Sequence, residues 1–466
     1  MNLNKEQYRA AVHVDGPMLV LAGPGSGKTH LLVERIRMMI EDEHIPPESI
    51  LVITFSNKAA RQMQARFERR INDRSYPVTF GTFHAVFYHI LQEYDPGSNR
   101  LITEEEQRRF ANLLMDSSDL FDDDTDAFEV IGLISSYKNF GDDFFIKCEK
   151  GAAMNECERE EFIRLAGSYD RMCQSEGVID FDDMIVMCRQ LFVKHEMVLR
   201  KWQKRYRYFL VDEFQDINDN QYEVLRLLAG DSMNVFAVGD DDQSIYAFRG
   251  SRPQLMKKFL KQYRGCRQVT LHMNYRCCSK IIGAADTLIR NNTDRIERPM
   301  QTALPSKNGG SVYVVESEST AVQAEFVCDM IMHLVRNEGL SLRDIAVLYR
   351  SDHCVRMFKK AAKSHGLLSA EGESIKVMTA HASKGLEFSC VFVISLQEGL
   401  FPHYKNLEGD GVMEERRLMY VAMTRAKERL YLCSVGTEHG KRPSRFVAEA
   451  SCKKRYITDR LRLIRT

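Results

Sequence analysis

The chain has 466 residues, 65 of them basic and 65 acidic, so its formal charge is zero; 44% of it is apolar and 28% charged. That length anticipates about three domains with large buried cores. The charge balance excludes a uniformly basic, nucleic-acid-coating chain, so any basic groove has to be local.

The twelve cysteines are scattered with no Cys-x-x-Cys pair, which reads as reduced thiols in the cytoplasm. Cys148, Cys157, Cys173 and Cys188 share one region, but their spacings fit no standard metal pattern. The stretch from Met1 to Arg9 is polar, so a signal peptide is not expected there. No apolar run approaches the ~20 residues of a membrane span, so a membrane partner is not expected.

In chain order, Leu3 to Val12 reads as a short amphipathic helix. Gln7 on it carries a donor and an acceptor that suit the edge of an adenine, although an exposed helical glutamine is the ordinary reading. Then Met18 to Leu21 is an apolar run, followed by Ala22-Gly23-Pro24-Gly25-Ser26-Gly27-Lys28-Thr29 and a helical pattern from His30 to Ile36. Strand, glycine-rich loop and helix are the context a phosphate loop requires. The glycines let backbone N–H groups converge on phosphate oxygens, and the helix N-terminus adds its positive end. Lys28 is placed to reach the β- and γ-phosphates, and Thr29 to bind Mg²⁺. The chain is therefore expected to bind a nucleoside triphosphate.

Ile50 to Phe55 is a buried-strand pattern, followed by Ser56-Asn57-Lys58 and a helix from Ala59 to Arg70; Gly81-Thr82-Phe83-His84 follows a second turn. These strand-end loops put Phe55, Asn57 and His84 on the rim of the phosphate loop, where they can meet a nucleic-acid backbone or serve as ordinary loop residues. From about Leu91 to Gly177 the chain turns locally acidic and helical, with Thr103-Glu104-Glu105-Glu106, Asp122 to Asp124 and Glu158 to Glu161. This is expected to be an inserted helical subdomain whose acidic runs are solvated helix faces.

Tyr208 to Val211 is a strand that ends in Asp212-Glu213-Phe214-Gln215-Asp216. Beside a phosphate loop, Asp212 is suited to hold Mg²⁺ through its water shell and Glu213 to orient and deprotonate the attacking water. Val235 to Val238 leads into the run Gly239 to Gly250. Gln243 there is placed to sense a γ-phosphate. Tyr246, Phe248 and Arg249 interleave rings with charge, as single-stranded nucleic acid requires; core packing is the alternative for either ring. A second strand series follows at Ile345 to Tyr349, Ile375 to Thr379 and Val391 to Ile394. It has no phosphate loop and offers loop arginines instead, Arg276 and Arg425. The tail carries Lys453-Lys454-Arg455 and Arg460-Leu461-Arg462, to which no role is assigned.

Taken together and in order, these motifs resemble those of the UvrD/Rep/PcrA group of superfamily 1 DNA helicases, from Leu3 to about Leu432. They include Thr54 to Ala60, Asn274-Tyr275-Arg276, Thr379 to Phe388 and Glu414 to Ala426. The resemblance implies an α/β fold of two RecA-like P-loop NTPase lobes with parallel sheets. A first lobe would span 1–90 and 178–273, a helical subdomain 91–177, and a second lobe 274–466. It also implies ATP and Mg²⁺ as cofactors, with ATP between the lobes, and 3′→5′ movement on single-stranded DNA and tailed duplex. By position, Gln7 and Tyr275 would meet the adenine and Glu387 the ribose, and Arg276 and Arg425 would be arginine fingers. Phe55, Asn57, His84, Tyr246, Phe248, Arg249, Thr379 and His381 would line the DNA track.

Three departures qualify the resemblance. His30 stands where the group commonly has arginine, which loosens adenine selectivity. Phe248 stands where it often has tryptophan, which offers less stacking area. Residues 365–374 read as too short for the sizeable subdomain usually inserted there, and no nuclease domain is expected after Arg425. The expected activity is an autonomous helicase. The alternatives are a DNA-stimulated motor subunit that needs a partner, such as a nuclease in repair or antiphage defence, and a DNA-binding ATP switch. The intact set Lys28, Asp212, Glu213, Gln243, Arg276 and Arg425 argues against a purely structural relative.

Overall fold

The computed structural model describes residues 3–72, 74–97, 100–122, 125–147, 149–247, 250–304, 310–368, 373–436, 442–450 and 455–457. Two parallel sheets organise the chain. The first has the spatial order Thr79–Thr82, Ile50–Thr54, Tyr208–Val211, Val235–Gly239, Met18–Ala22, Arg267–Leu271. Ile50, Leu51 and Val52 pair with Tyr208, Phe209 and Leu210. Met18–Ala22, Ile50–Thr54 and Val235–Gly239 are buried along their whole length. Helices cover both faces of such a sheet, which is why these strands read as unbroken apolar runs rather than alternating ones.

The second sheet has the order Lys376–Thr379, Ile345–Tyr349, Phe388–Val393, Ala426–Val435, Ser311–Ser317, Arg455–Ile457. Its core gathers Val327, Ile331, Phe358, Phe392 and Tyr431. The rings of Tyr313 and Phe392 stack on Tyr431 with centroids 4.6 and 4.4 Å away.

The acidic stretch folds as expected into helices, among them Glu104–Asp116, Ala127–Phe140 and Glu156–Ser175, around Phe110, Phe144, Phe162 and Tyr169. A two-residue parallel pairing of Arg100–Leu101 with Val178–Ile179 closes its neck. Two of its acidic runs do more than face solvent. Thr103 with Glu106, and Asn155 with Glu158, form capping boxes that satisfy orphan N–H groups at helix starts. Of the four cysteines in this region, Cys157 is exposed and Cys173 and Cys188 are buried, while Cys148 lies outside the described residues. Among the described residues no group of three or more His, Cys, Asp or Glu is placed to hold a metal ion. None of the helices among them is long and apolar enough to cross a membrane.

By contact density the chain divides into two compact units. One comprises Met1–Val20, Thr29–Gly239 and Tyr246–Val269; the other comprises Leu21–Lys28, Asp240–Ile245 and Thr270–Thr466.

Candidate nucleotide and nucleic-acid site

In the first unit, the opening helix Lys5–Ala11 is fixed by a capping box: Gln7 N–H donates to Asn4 Oδ1 at 2.8 Å and Asn4 N–H to Gln7 Oε1 at 3.0 Å. Gln7 is thus buried, with its amide oxygen capping the helix, rather than exposed. Arg35, wholly buried, donates to the carbonyls of Ala11, His13 and Val14 and lies 4.2 Å over the Phe236 ring. Burial pulls its guanidinium down to about 9. The bond to Ala11 caps the end of the first helix, and the three together tie that end and the turn after it to Lys28–Glu41. His30, on the same helix, has a buried Nε2 with no hydrogen-bond partner among the described residues.

The strand Tyr208–Val211 delivers Asp212 and Glu213 at its end, with Asp212 N–H on Ile53 O at 2.9 Å. Glu213 takes the left-handed backbone conformation, φ +52°, which a residue with a Cβ adopts at a cost. Its N–H bonds Asp212 Oδ1 at 3.0 Å, and its carboxylate accepts from Gln215 Nε2 at 2.5 Å. Gln215 is fully buried and holds that carboxylate in one orientation. A side chain at Gly239 would lie 2.8 Å from Gln215 Oε1, so it would push the Gln215 amide out of this place.

Phe55 and Tyr246 come together as a stacked pair, centroids 4.7 Å apart and planes 12° apart. Phe55 keeps an exposed face. Asn57 opens the helix Asn57–Arg70, whose Ser56 caps Ala59 N–H. His84 meets the exposed ring of Phe181 edge-on at 5.6 Å. Phe181 is exposed, as Phe55 is, and nothing in Ile179 to Met184 marks it out in the sequence, where the stretch reads only as a return to the sheet. Phe248 and Arg249 lie outside the described residues.

In the second unit, Gly25 and Gly27 take φ +64° and +84°. A Cβ on Gly25 would sit 2.6 Å from Arg276 Cβ, and one on Gly23 2.6 Å from Met300 Sδ. Ser26 Oγ donates to Gly23 O at 2.8 Å. Asn274 Nδ2 donates to Pro24 O at 2.6 Å and Tyr275 N–H to Gly25 O at 2.8 Å. The loop's carbonyls are thereby turned onto the Asn274-Tyr275-Arg276 segment. A loop of positive-φ glycines with carbonyls so engaged and a helix starting at Lys28–Thr29 fits a triphosphate.

Gln243 is held at both ends of its amide, with Nε2 on Asp240 Oδ2 at 2.5 Å and Oε1 accepting from Arg425 Nη2 at 3.3 Å. Lys384 Nζ takes the Gln243 carbonyl at 2.9 Å. Arg425 is 1% exposed and also donates to Val421 O and Leu386 O at 3.0 and 3.2 Å. Arg276 donates to Glu387 at 2.8 Å and to Thr424 O at 3.3 Å. Burial alone would raise the Glu387 carboxyl, but Lys427 and Arg276 hold it below the ordinary carboxylate range. Glu387 thus pairs with a cation on either side. Tyr275 keeps an exposed ring. At the end of its strand, Thr379 accepts Ala382 N–H at 3.2 Å, and the half-buried His381 follows it.

Beneath Gln243 lies a group the sequence pattern missed. Asp240, Asp241 and Asp242 are buried and converge on Arg298, which bonds all three; Arg295 bonds Asp242 as well. Burial and the neighbouring Asp242 push the Asp241 carboxyl up, and burial pulls Arg298 down to about 10. Arg298 sits 58 positions from Asp240, so no local pattern pointed to it.

The UvrD/REP helicase N-terminal domain family matches residues 3–264. The UvrD-like helicase C-terminal domain family matches 269–369 and 359–436. The chain is 34% identical over 359 residues to a putative ATP-dependent DNA helicase, YjcD, of Bacillus subtilis, which covers 76% of this chain and 46% of that protein. It is 32% identical to the ATP-dependent DNA helicase PcrA of Staphylococcus aureus, covering 77% and 49%. It is 33% identical to DNA helicase II of Haemophilus influenzae, covering 77% and 50%. The chain thus spans about half the length of these curated relatives.

Proposed function

The chain belongs to the UvrD/REP helicase family, and from that premise we propose that it is an ATP-dependent motor that moves 3′→5′ on single-stranded DNA and opens tailed duplex. The observation that carries this reading is the Gln243 amide, fixed between Asp240 and Arg425 in a unit that also contains the glycine loop bonded to Tyr275. A glutamine held this way responds to a phosphate and to an arginine at once.

The roles follow from the chemistry of each group. Backbone N–H groups of the loop and Lys28 bind the phosphates. Glu213, oriented by Gln215, takes the proton of the attacking water. Arg276 and Arg425 answer charge on the transferring group. Thr29 and Asp212 would hold Mg²⁺, which supplies neutralisation of the phosphate oxygens. His30 and Tyr275 are assigned to contact with the base. Phe55 with Tyr246, Phe248, Arg249, Asn57, His84, Thr379 and His381 carry the strand. The relatives' names as DNA helicases support DNA over RNA.

The test is ATPase with and without single-stranded DNA, then strand displacement on 3′- and 5′-tailed duplexes. Stimulated turnover with displacement only from the 3′ tail is expected. Displacement from the 5′ tail alone overturns the polarity, and absence of stimulation overturns the motor. A second reading, a motor subunit that needs a partner such as a nuclease, rests on one observation. Ile375 N–H bonds Leu367 O at 3.3 Å, so residues only a few positions apart in sequence are joined here, which leaves no length of chain for a further subdomain between them. Stimulation without displacement by the chain alone favours that reading.

A further inference from the structure

The helix Ala127–Phe140 of the inserted subdomain ends in a knot of polar side chains that the proposed chemistry does not use. Lys138, largely buried, places Nζ 2.8 Å from Asp180, 2.6 Å from Asp183 and 2.9 Å from Asp170. Ser135 Oγ and Asn139 Nδ2 bond the two oxygens of Asp182 at 2.6 and 2.8 Å. Asn139 Nδ2 also donates to Ser135 O, and its Oδ1 accepts from Asn218 Nδ2 at 2.8 Å. The amide therefore has both ends satisfied by three different segments.

Two of the surrounding segments carry residues of the proposed site. Asn218 ends the run that begins at Asp212 and Glu213, and it caps the helix Asp219–Ala229. Gly250 ends the run that carries Tyr246, and a Cβ there would lie 3.1 Å from Asn139 Cβ. At φ +81° with that close approach, Gly250 packs its backbone directly on Asn139. Arg252 makes a second tie from the same region, bonding Asp143 at 3.2 Å and Asp219 at 2.7 Å.

We propose that Asn139 is a positioning residue through which the inserted helical subdomain holds the DNA-contacting run ending at Gly250 in register with the acidic run ending at Asn218, so that an occupied DNA track raises hydrolysis at Glu213. A side chain packed on one run and hydrogen-bonded to the other transmits a displacement between them because neither contact can slip without breaking. This rests on the motor reading given above.

The test uses the full chain and two variants. Asn218→Ser keeps a capping hydroxyl for its helix and removes the amide donor to Asn139; Asn139→Ala removes the amide with its bonds to Asn218 and Asp182 while its Cβ stays against Gly250. Basal ATPase, DNA-stimulated ATPase and the thermal midpoint are measured for each. The expected result is a stimulation factor at least about threefold lower in both variants, basal turnover within about twofold of wild type, and a double variant no worse than the lower single one. Full stimulation in a folded Asn218→Ser protein overturns the proposal, as does an equal fall in basal and stimulated rates. A wild-type chain that DNA does not stimulate overturns the motor reading and this inference with it.

Discussion

At the scale of single residues, the acidic turn is the most informative place. Glu213 accepts a strained backbone conformation, and its carboxylate accepts from the amide of Gln215, which is fully buried. A carboxylate that only decorated a solvated turn would need neither. Glu213→Gln is expected to keep nucleotide binding and lower kcat by about 10²- to 10⁴-fold, the range for loss of a general base. Gln215→Ala is expected to lower kcat less, with KM for ATP unchanged, because it frees the carboxylate without removing it. Hydrolysis at the wild-type rate in Glu213→Gln would dismiss Glu213 as the base. Phe55 offers a different residue-scale test. Its ring is stacked on Tyr246 and exposed on its other face, a platform on which one base stacks for ~1–3 kcal/mol. Phe55→Ala should therefore weaken half-saturation by single-stranded DNA roughly 5- to 100-fold while basal ATPase stays near wild type; equal loss of both would make the ring core packing.

At the scale of elements, the helix after the phosphate loop is anchored on both sides. Arg35 fixes it to the opening helix, and Glu34 accepts from Arg37 at 3.2 Å and from Arg70 on the helix Asn57–Arg70. Burial by itself would raise the Glu34 carboxyl, but the bonds from Arg70 and Arg37 outweigh it and hold it below the ordinary value. A depressed carboxylate contributes stability that is present above its unfolded pKa, ~4.3, and is lost as pH falls through the folded value. Glu34→Gln should lower stability at pH 7 by roughly 1.5–3 kcal/mol. It should also flatten the acid side of the stability profile below about pH 4.5, as read by denaturant titration. An unchanged acid limb would mean that the two arginines do not stabilise the charged form.

What could be read in the sequence divides along the same line. The phosphate loop, the strand runs and the acidic turn were legible because each is written in a few consecutive residues. The run at Thr103 to Glu106 was legible in type but not in role, since Thr-x-x-Glu is also a capping pattern. Arg298 beneath Asp240 to Asp242 and Asn139 beside Asn218 were not legible, because their partners lie 58 and 79 positions away and only folding brings them together.

At the scale of the whole molecule, charge makes the last prediction. With 65 basic and 65 acidic side chains there is no excess to pull in nucleic acid from a distance. The residues placed on the strand are mostly rings and amides: Phe55, Tyr246 and Phe248 stack, Asn57 and Thr379 hydrogen-bond, and Arg249 is the one full cation among them. Affinity for a single strand falls with salt in proportion to the phosphates neutralised, with a slope of about −0.7 per contact. If stacking carries most of the binding, the slope of log affinity against log salt should be shallow, about −1 to −2. Fluorescence titration of a labelled oligonucleotide across a salt series measures it directly. A slope steeper than about −4 would mean that at least six phosphates are neutralised. The grip would then belong to a basic surface other than these residues, and the stacked track would only steer a strand already held.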